Sequence, residues 1–481
     1  MSLRVVVLGG GPGGYVAAIR ASQLGARVSL VEKDRVGGTC LHWGCIPTKV
    51  LKVTAQLMEA LKRREELGIE LDGDPKLRLD RLMARKRKVV EIQESAIVKM
   101  LGRLGVNLVK GLGRVRSPGF LEVESASGES TKLEWDRLIL ATGSRPLSLP
   151  YLPFDGKRIL SSSHVLELQE LPSRILIVGG GVVGCELACI LRGLGSQVTV
   201  VEALDRILPL PSLDPDTSIV LEREMRKRGI QVCLRQVVEQ IQERNGELEV
   251  LLGASPLVEP LGGNLQASKL LGVDRVVVCV GREAASQALG LEKLGLTLEE
   301  KGWIRVGPDL QTSVPHVFAV GDALGPGRPM LAHVASAEGL VAAENAMGGK
   351  ETLQYEAVPS AIFTCPEVAF VGLSQMQAEA SGLETGSQTY LMRAVGKAQI
   401  LGEIAGQAKV VWEKGSNRIV GMQLMGPHVT ELVGECTLAL KMGARLQDLA
   451  GTIHPHPTVS ELLGELSHTA LGRPVHAILG P

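Results

Sequence analysis

VVVLGGGPGGYVAAIRASQLGARVSLVE, at residues 5–32, aligns without a gap with ILIVGGGVVGCELACILRGLGSQVTVVE, at residues 175–202, when the chain is shifted by 170 positions. Each copy has a β-branched run typical of a buried parallel strand, then G-x-G-x-x-G, a helical segment and a second strand ending in Glu. The shared positions are Gly9, Gly11, Gly14 and Glu32 in the first copy and Gly179, Gly181, Gly184 and Glu202 in the second. The sequence therefore predicts two strand–helix–strand units of one kind.

The spacing of these glycines is the one that the pyrophosphate of a dinucleotide requires. The first glycine allows a tight turn, the second lets the backbone approach the pyrophosphate, and the third lets the helix pack closely on the strand. The phosphates lie at the helix N-terminus, and the acid accepts hydrogen bonds from ribose hydroxyls. One motif alone could be a glycine-rich turn, but two at equal spacing predict two dinucleotide sites. Glu202 would repel a 2′-phosphate, so the second site favours NAD over NADP.

Composition and charge exclude several other classes of protein. The 481 residues, 45% of them hydrophobic, predict about three domains with ample cores. The 52 basic residues balance 52 acidic ones, and only 3% of residues are aromatic, so we expect neither nucleic acid nor an anionic membrane as a partner. Glycines interrupt the apolar runs at 5–14 and 175–191, so we expect no cleaved signal and no membrane span. Eight scattered cysteines then indicate a reducing, cytoplasmic environment.

A pair of cysteines lies between the two repeats, in GGTCLHWGCIPTK at residues 37–49. Cys40 and Cys45 could be an accidental pair, half of a metal site or a redox disulfide; a zinc site needs closer ligands and a second pair, and the sequence predicts no metal. Pro47 places Cys45 near a helix N-terminus, where the dipole stabilises a thiolate. The other cysteines are interpreted as small buried apolar residues: Cys185, Cys189, Cys233, Cys279, Cys365 and Cys436.

The cysteine segment resembles the G-G-T-C-x-N-x-G-C-I-P-S-K signature of the flavoprotein disulfide reductases, the class I pyridine nucleotide-disulfide oxidoreductases. The resemblance extends over essentially the whole chain, with the motifs in the same order, and is strongest to the dihydrolipoamide dehydrogenases. It implies FAD in the first unit, NAD in the second, and a Cys40–Cys45 redox disulfide. Cys45 would face the flavin, and Cys40 would exchange with the substrate.

The same resemblance assigns further residues to the cofactor sites. Thr39 would lie in the flavin site, and Lys49 would pair with Glu186 beside the flavin and the nicotinamide. The chain departs from the family signature at three positions of the cysteine segment and in the loop after Gly281: His42, Trp43, Thr48 and Ala284-Ala285.

Three later motifs also resemble the family pattern. ATGSRP at 141–146 resembles the crossover that closes the first half of the flavin domain, with Thr142 and Gly143 in the flavin site. VCVGR at 278–282 resembles the return strand from the NAD domain and contains Gly281. TSVPHVFAVGD at 312–322 ends in Asp322, which would bind a ribityl hydroxyl. Leu331 and Ala332 then open a helix whose N-terminus would stabilise negative charge at the N1–C2=O edge of the flavin.

HPHPTVSE at residues 454–461 contains the candidate acid–base group. Two alternate histidines could hold a metal, but no third ligand is apparent. The string resembles the family's acid–base motif, in which His456 would take a proton from a thiol and Glu461 would orient its imidazole. His454 is interpreted as a packing residue. In the family this histidine serves the disulfide of the other subunit, which implies a homodimer with shared active sites.

The expected fold is α/β: two Rossmann-like dinucleotide-binding domains, the NAD domain inserted in the FAD domain, and a C-terminal α+β dimerisation domain. The expected bounds are 1–149 and 275–347 for the FAD domain, 150–274 for the NAD domain and 348–481 for the interface domain.

The resemblance implies oxidation of protein-bound dihydrolipoamide to lipoamide with NAD⁺. The implied partners are the lipoyl domains and the acyltransferase core of a 2-oxo acid dehydrogenase complex. The alternatives are another NAD(P)H-dependent disulfide reductase of the glutathione type, a quinone reductase, or a flavin-bound scaffold without activity. A scaffold would not need Cys40 or His456, and both are present.

Overall fold

The computed structural model describes residues 2–244, 246–259 and 268–476. Its strands are β1 Arg4–Leu8, β2 Arg27–Glu32, β3 Asn107–Lys110, β4 Leu112–Ser117, β5 Phe120–Glu124, β6 Ser130–Glu134, β7 Arg137–Leu140, β8 Ser144–Pro146, β9 Ile159–Ser161, β10 Arg174–Val178, β11 Gln197–Glu202, β12 Ile230–Leu234, β13 Gln236–Arg244, β14 Glu247–Ala254, β15 Lys269–Val273, β16 Arg275–Val278, β17 Arg282–Ala284, β18 Val317–Ala319, β19 Ser360–Ile362, β20 Glu367–Gly372, β21 Thr385–Leu391, β22 Gln407–Glu413 and β23 Ile419–Gly426. Its α-helices are α1 Pro12–Gln23, α2 Gly38–Trp43, α3 Cys45–Lys62, α4 Leu79–Arg103, α5 Ser162–Val165, α6 Val182–Leu194, α7 Pro215–Lys227, α8 Ala332–Ala346, α9 Gln375–Ala380, α10 Gly396–Leu401, α11 Val429–Lys441, α12 Leu446–Gly451 and α13 Glu461–Ala470.

Two parallel sheets form the first three quarters of the chain, and each is built on one of the sequence repeats. Their strand orders are β18-β7-β1-β2-β3 and β12-β11-β10-β16-β9. The register is also repeated, since Val5 lies opposite Val28 in the first sheet and Ile175 lies opposite Val198 in the second. In both sheets the strand order reverses beside the first strand of the repeat, which is where open α/β sheets bind their ligands.

Aliphatic packing holds the first sheet against its helices. The strands β1 and β7 are almost completely buried, and α1 lies against them with Ala17, Ala18 and Ala21. The helices α1 and α8 approach one another so closely that a Cβ on Gly339 would lie 2.4 Å from the carbonyl oxygen of Gly13. Small residues on both helices thus bring the start of α8 next to the first glycine turn.

The chain leaves and re-enters the first unit through a two-stranded antiparallel ribbon of β8 and β17, in which Ser144 lies opposite Ala284. The strand β16 pairs with β10 and β9 in the second sheet. The sheet of the inserted unit therefore includes β16, which lies beyond residue 274, the boundary expected for that unit. Two three-stranded antiparallel sheets, β4-β5-β6 and β13-β14-β15, flank the parallel sheets.

The C-terminal domain is an antiparallel sheet with the strand order β19-β20-β23-β22-β21. Its central strand β23 is buried along its whole length, and α11 and α13 contribute apolar side chains to the same core. Three apolar side chains on or near α11 and α12 are instead exposed in the single chain: Leu438, Met442 and Ile453. No helix in the described ranges combines the length and the apolar character needed to cross a bilayer.

Candidate active site

The first glycine of each fingerprint makes a turn that other residues would not tolerate. Gly9 has φ +106° and Gly179 has φ +108°, both in the region that favours glycine. A Cβ at Gly9 would lie 2.2 Å from the carbonyl oxygen of Ala141, and one at Gly179 would lie 2.5 Å from that of Cys279. The two turns are therefore equivalent in conformation and in what they pack against.

Within each fingerprint, the third glycine is closely surrounded by backbone atoms, whereas the second glycine faces open space. A Cβ at Gly14 would lie 1.8 Å from the carbonyl oxygen of Gly9, and one at Gly184 would lie 1.9 Å from that of Gly179. Around Gly11 and Gly181, in contrast, a Cβ would meet nothing within 4 Å. Each position precedes a helix whose N-terminus has no side-chain cap. Both turns thus offer free N–H groups and open space for a phosphate.

The acids at the ends of β2 and β11 are held in the same way. Glu32 accepts hydrogen bonds from the N–H groups of Gly10 (2.6 Å) and Asp34 (2.7 Å). Glu202 accepts from those of Gly180 (2.6 Å) and Leu204 (2.8 Å). Burial raises the pKa of Glu32, against the lowering effect of these N–H donors. The backbone thus orients each carboxylate beside its glycine turn.

Some residues predicted for the flavin site follow the carboxyl ends of two neighbouring strands, with Thr142 and Gly143 after β7 and Asp322 after β18. The hydroxyl of Thr142 is buried and has no hydrogen-bond partner in the described part of the chain. The helix α8 begins after Leu331 without a side-chain cap, so its first N–H groups have no side-chain acceptor. An unpaired donor and a free helix end are the groups that a polar ligand would satisfy.

Asp322 has two partners that sequence reasoning missed. The hydroxyl of Ser144 donates to Asp322 Oδ2 at 2.5 Å, and Arg282 Nε lies 2.5 Å from the same hydroxyl and 3.4 Å from Asp322 Oδ2. Burial lowers the pKa of Arg282. Ser144 belongs to the motif ATGSRP and Arg282 to the motif VCVGR, which are far apart in the sequence. The pairing of β8 with β17 brings the two residues together. They fix Asp322 at the junction of the two units.

A buried acid supports the same loop. Glu338, on α8, accepts a hydrogen bond from the N–H of Gly321 at 2.6 Å and another from the hydroxyl of Tyr355 at 2.6 Å. Arg328 Nη1 donates to that hydroxyl at 2.8 Å. Burial raises the pKa of Glu338 and that of Tyr355. This network fixes the turn that carries Asp322.

The candidate redox pair lies where α2 meets α3. Cys45 is the first residue of α3 and is exposed, whereas Cys40, on α2, is half-buried. Interaction with the thiol of Cys40, together with the positive charge of Lys49, lowers the pKa of Cys45 to about 7, although desolvation opposes this. Interaction with Cys45 in turn raises the pKa of Cys40. The arrangement favours a thiolate at Cys45, while Cys40 keeps its proton.

Lys49 and Glu186 come together as predicted. Lys49 Nζ lies 2.8 Å from Glu186 Oε2, and Glu186 Oε1 accepts a hydrogen bond from the N–H of Phe363 at 2.8 Å. The ring of Phe363 lies 4.2 Å from the ammonium of Lys49. The ion pair therefore joins α3 to α6, while Phe363, which sequence reasoning missed, fixes it from the C-terminal domain.

One turn further along α3, a buried ion pair reaches the same C-terminal segment. Lys52 Nζ lies 2.6 Å from Glu367 Oε1, and the two side chains are only 7% and 13% exposed. Glu367 Oε2 accepts a hydrogen bond from the hydroxyl of Thr430 at 2.7 Å. The helix that begins at Cys45 is thus tied to both β20 and α11.

The acid–base candidates are paired on the C-terminal domain. His456 Nδ1 lies 2.8 Å from Glu461 Oε1, and Glu461 Oε2 accepts a hydrogen bond from the N–H of Thr458 at 3.0 Å. Burial works to raise the pKa of Glu461, but these hydrogen bonds outweigh it and lower the pKa. The imidazole of His456 is 76% exposed, and no hydrogen bond among the described residues joins it to Cys40 or Cys45. His454 has a separate partner, Glu435, at 3.0 Å.

Comparison with known proteins identifies the family. The sequence profile described as pyridine nucleotide-disulphide oxidoreductase matches residues 3–339, and that of its dimerisation domain matches residues 358–467. The chain belongs to this family.

Curated relatives of this chain are named dihydrolipoyl dehydrogenase. Dihydrolipoyl dehydrogenase of Thermus scotoductus is 39% identical over 475 residues and that of Bacillus subtilis is 37% identical over 491, each alignment covering 98% of both chains. The solved structure of LpdA from Mycobacterium tuberculosis superposes with a TM-score of 0.87 at 26% identity, covering 97% of this chain and 99% of that one.

These comparisons confirm the predicted family, fold class and enzyme class. The chain is a flavoprotein disulfide oxidoreductase of the dihydrolipoyl dehydrogenase type, and the cofactors of this type are FAD and NAD. The residues present fit both groups: each glycine turn has space for a pyrophosphate, and in the first unit the hydroxyl of Thr142 has no partner among the described residues and α8 has no side-chain cap.

Proposed function

We propose that the protein oxidises protein-bound dihydrolipoamide to lipoamide with NAD⁺, through a disulfide between Cys40 and Cys45. The observation that carries this proposal is the position of Cys45 at the N-terminus of α3, with Cys40 on the preceding helix, one turn before the Lys49–Glu186 ion pair that joins the two dinucleotide-binding units. When bound, flavin would supply the chemistry that links oxidation of the dithiol to reduction of NAD⁺. All other steps belong to side chains of this chain.

The difference between the two thiols assigns their roles. A substrate thiolate that attacks the Cys40–Cys45 disulfide displaces the better leaving group, which is the thiol of lower pKa. Because the pKa of Cys45 is lowered to about 7 and that of Cys40 is raised, attack falls on Cys40 Sγ and releases Cys45 as a thiolate. The second substrate thiol then attacks the mixed disulfide, lipoamide leaves, and Cys40 takes up a proton.

We assign proton transfer at Cys40 to His456 of a second copy of the chain. The dimerisation-domain match and the exposed imidazole of His456 support this assignment. The exposed apolar side chains of Leu438, Met442 and Ile453 give the same domain an apolar surface for a partner. Glu461 holds the imidazole by Nδ1, so Nε2 is left to accept the proton.

The cofactor and partner assignments follow from the same residues. We assign the pyrophosphate of FAD to the turn at Gly9, Gly11 and Gly14, and that of NAD to the turn at Gly179, Gly181 and Gly184. The further cofactor-binding residues are those predicted above: Glu32, Thr39, Lys49, Thr142, Gly143, Glu186, Glu202, Gly281, Asp322, Leu331 and Ala332. The carriers would be the lipoyl domains and acyltransferase core of a 2-oxo acid dehydrogenase complex, in the reducing cytoplasm where free thiols persist.

The test is steady-state turnover of the flavin-loaded protein. We expect reduction of NAD⁺ by dihydrolipoamide, with no comparable reduction of glutathione disulfide by NADPH. Cys40→Ser and Cys45→Ser should each abolish turnover while the flavin stays bound. Cys436→Ala, a buried cysteine in the C-terminal core, is the matched control and should keep turnover. Turnover by Cys45→Ser, or a preference for glutathione disulfide, would overturn the proposal.

A further inference from the structure

A second pair of cysteines lies next to the Lys49–Glu186 ion pair. Cys189 follows Glu186 by one turn of α6, and Cys365 follows Phe363 by two residues in the segment between β19 and β20. The N–H of Phe363 donates to Glu186 Oε1 at 2.8 Å, so the elements that carry the two cysteines meet at this hydrogen bond. Both cysteines pack in one apolar cluster, and each thiol influences the pKa of the other.

The surroundings make these two thiols unequal. Cys189 is 8% exposed, whereas Cys365 is half-buried and so within reach of small molecules. Interaction with Cys189, together with positive charge from Arg228 and Lys52, lowers the pKa of Cys365 to about 7 against desolvation and the negative charge of Glu403. Interaction with Cys365, together with burial, raises the pKa of Cys189.

The other cysteines outside the candidate active site provide the contrast. Burial raises the pKa of Cys279 to about 12, and it also raises the pKa of Cys185 and of Cys436. These thiols stay protonated, which agrees with their interpretation as small apolar residues. Cys189 and Cys365 also pack in an apolar cluster, but neither the sequence spacing nor the local pattern shows that α6 meets the segment after β19.

We propose that Cys189 and Cys365 form a second redox dithiol, separate from Cys40 and Cys45, which a peroxide converts to a disulfide. The thiolate of Cys365 attacks one oxygen of hydrogen peroxide, the O–O bond breaks, hydroxide leaves, and Cys365 becomes a sulfenic acid. The sulfur of Cys189 then attacks Cys365 Sγ, the S–O bond breaks, and water leaves with the proton of Cys189. Two thiol sulfurs are oxidised and one peroxide is reduced.

The new bond would join the inserted unit to the C-terminal domain. It connects residues 176 positions apart in the chain, and such a crosslink stabilises the folded state by restricting the unfolded one. It would also hold α6 against the segment of Phe363, whose N–H and ring contact Glu186 and Lys49. We therefore expect the oxidised protein to melt at a higher temperature, with reversal by dithiothreitol.

The experiment uses the flavin-loaded full chain with Cys40→Ser and Cys45→Ser, so that its outcome does not depend on the proposed function. After treatment with hydrogen peroxide and alkylation, peptide mapping under non-reducing conditions should yield one disulfide-linked peptide pair that contains residues 189 and 365. After oxidation, neither cysteine should react with the alkylating reagent, and treatment with dithiothreitol should make both reactive again. If both cysteines remain alkylated, or if Cys365 is oxidised without forming the bridge, the proposal is overturned.

Two further variants in the same background identify the roles. In Cys189→Ser, peroxide should carry Cys365 to the sulfinic acid, which dithiothreitol does not reduce. In Cys365→Ser, Cys189 should remain alkylatable after denaturation, and the rise in melting temperature should vanish. Cys436→Ala is the matched control and should form the bridge as its parent does. Bridge formation that needs Cys436, or a sulfenic acid on Cys189 in Cys365→Ser, would contradict the assigned roles.

Discussion

Removing the charge of Lys52 should destabilise the protein far more than removing an exposed lysine from the same helix. The ammonium lies 2.6 Å from Glu367 Oε1, with the two side chains 7% and 13% exposed. Lys52→Met leaves a buried carboxylate whose remaining partner is Thr430. Loss of one member of a buried ion pair costs about 3–5 kcal/mol, and the bonds from Thr430 place our expectation at the lower end, about 3 kcal/mol.

The assay is urea unfolding of the flavin-loaded protein at fixed concentration, with the free energy of unfolding obtained by linear extrapolation. Lys62→Met is the matched control, because Lys62 pairs with Glu59 on the exposed face of α3 and such pairs contribute about 0–1 kcal/mol. The double variant Lys52→Met/Glu367→Met should recover most of the loss, since it buries no unpaired charge. If Lys52→Met is as stable as Lys62→Met, the ion pair does not hold α3 to the C-terminal domain.

Three further predictions concern the cofactor sites and the redox pair. Thr142→Val should weaken FAD binding by about 1 kcal/mol without destabilising the flavin-free protein, because the hydroxyl is buried and has no partner among the described residues. Titration calorimetry and thermal melting measure the two effects, and unchanged affinity would contradict the site. Gly184→Ala should abolish NAD binding and keep the flavin, because the added Cβ would lie 1.9 Å from a carbonyl oxygen. Gly14→Ala should lose the flavin, because its Cβ would lie 1.8 Å from a carbonyl oxygen. Flavin absorbance measures the loss of FAD, and titration with NAD measures the loss of NAD binding. In the reduced enzyme the thiolate of Cys45 should form as the pH rises through about 7 and be lost below it, which ultraviolet thiolate absorbance can follow. Lys49→Met should move the midpoint of this titration to higher pH, and an unmoved midpoint would contradict the role of Lys49.

The sequence predicts the parts of this fold that repeat or follow a short motif. The shift of 170 residues reveals both glycine turns, and the structure shows equal φ angles at Gly9 and Gly179 and equal hydrogen bonding at Glu32 and Glu202. These features are local, because every contact that fixes them lies within one strand–helix–strand unit or at the carboxyl end of an adjacent strand.

The contacts that sequence reasoning missed join residues far apart in the chain. Arg282 and Ser144 meet only because β17 pairs with β8, and Lys52 meets Glu367 only because α3 lies against the C-terminal domain. Lys86 lies in a run of four basic residues, yet it is buried and donates to Glu167 at 2.6 Å. Such pairings carry no periodic signal, so they become visible only when the tertiary structure is known.

The arrangement of β18 has a consequence for the order in which the chain folds during synthesis. The first sheet begins with β1 at Arg4 but needs β18, at Val317–Ala319, for its outer strand. The second sheet begins later, with β9 at Ile159, and is complete at β16, which ends at Val278. Because domains fold as units while the ribosome elongates the chain, the inserted unit can finish its sheet while the enclosing unit still lacks its last strand. The nascent NAD unit would then become a folded nucleus that holds the two halves of the FAD unit side by side until β18 emerges.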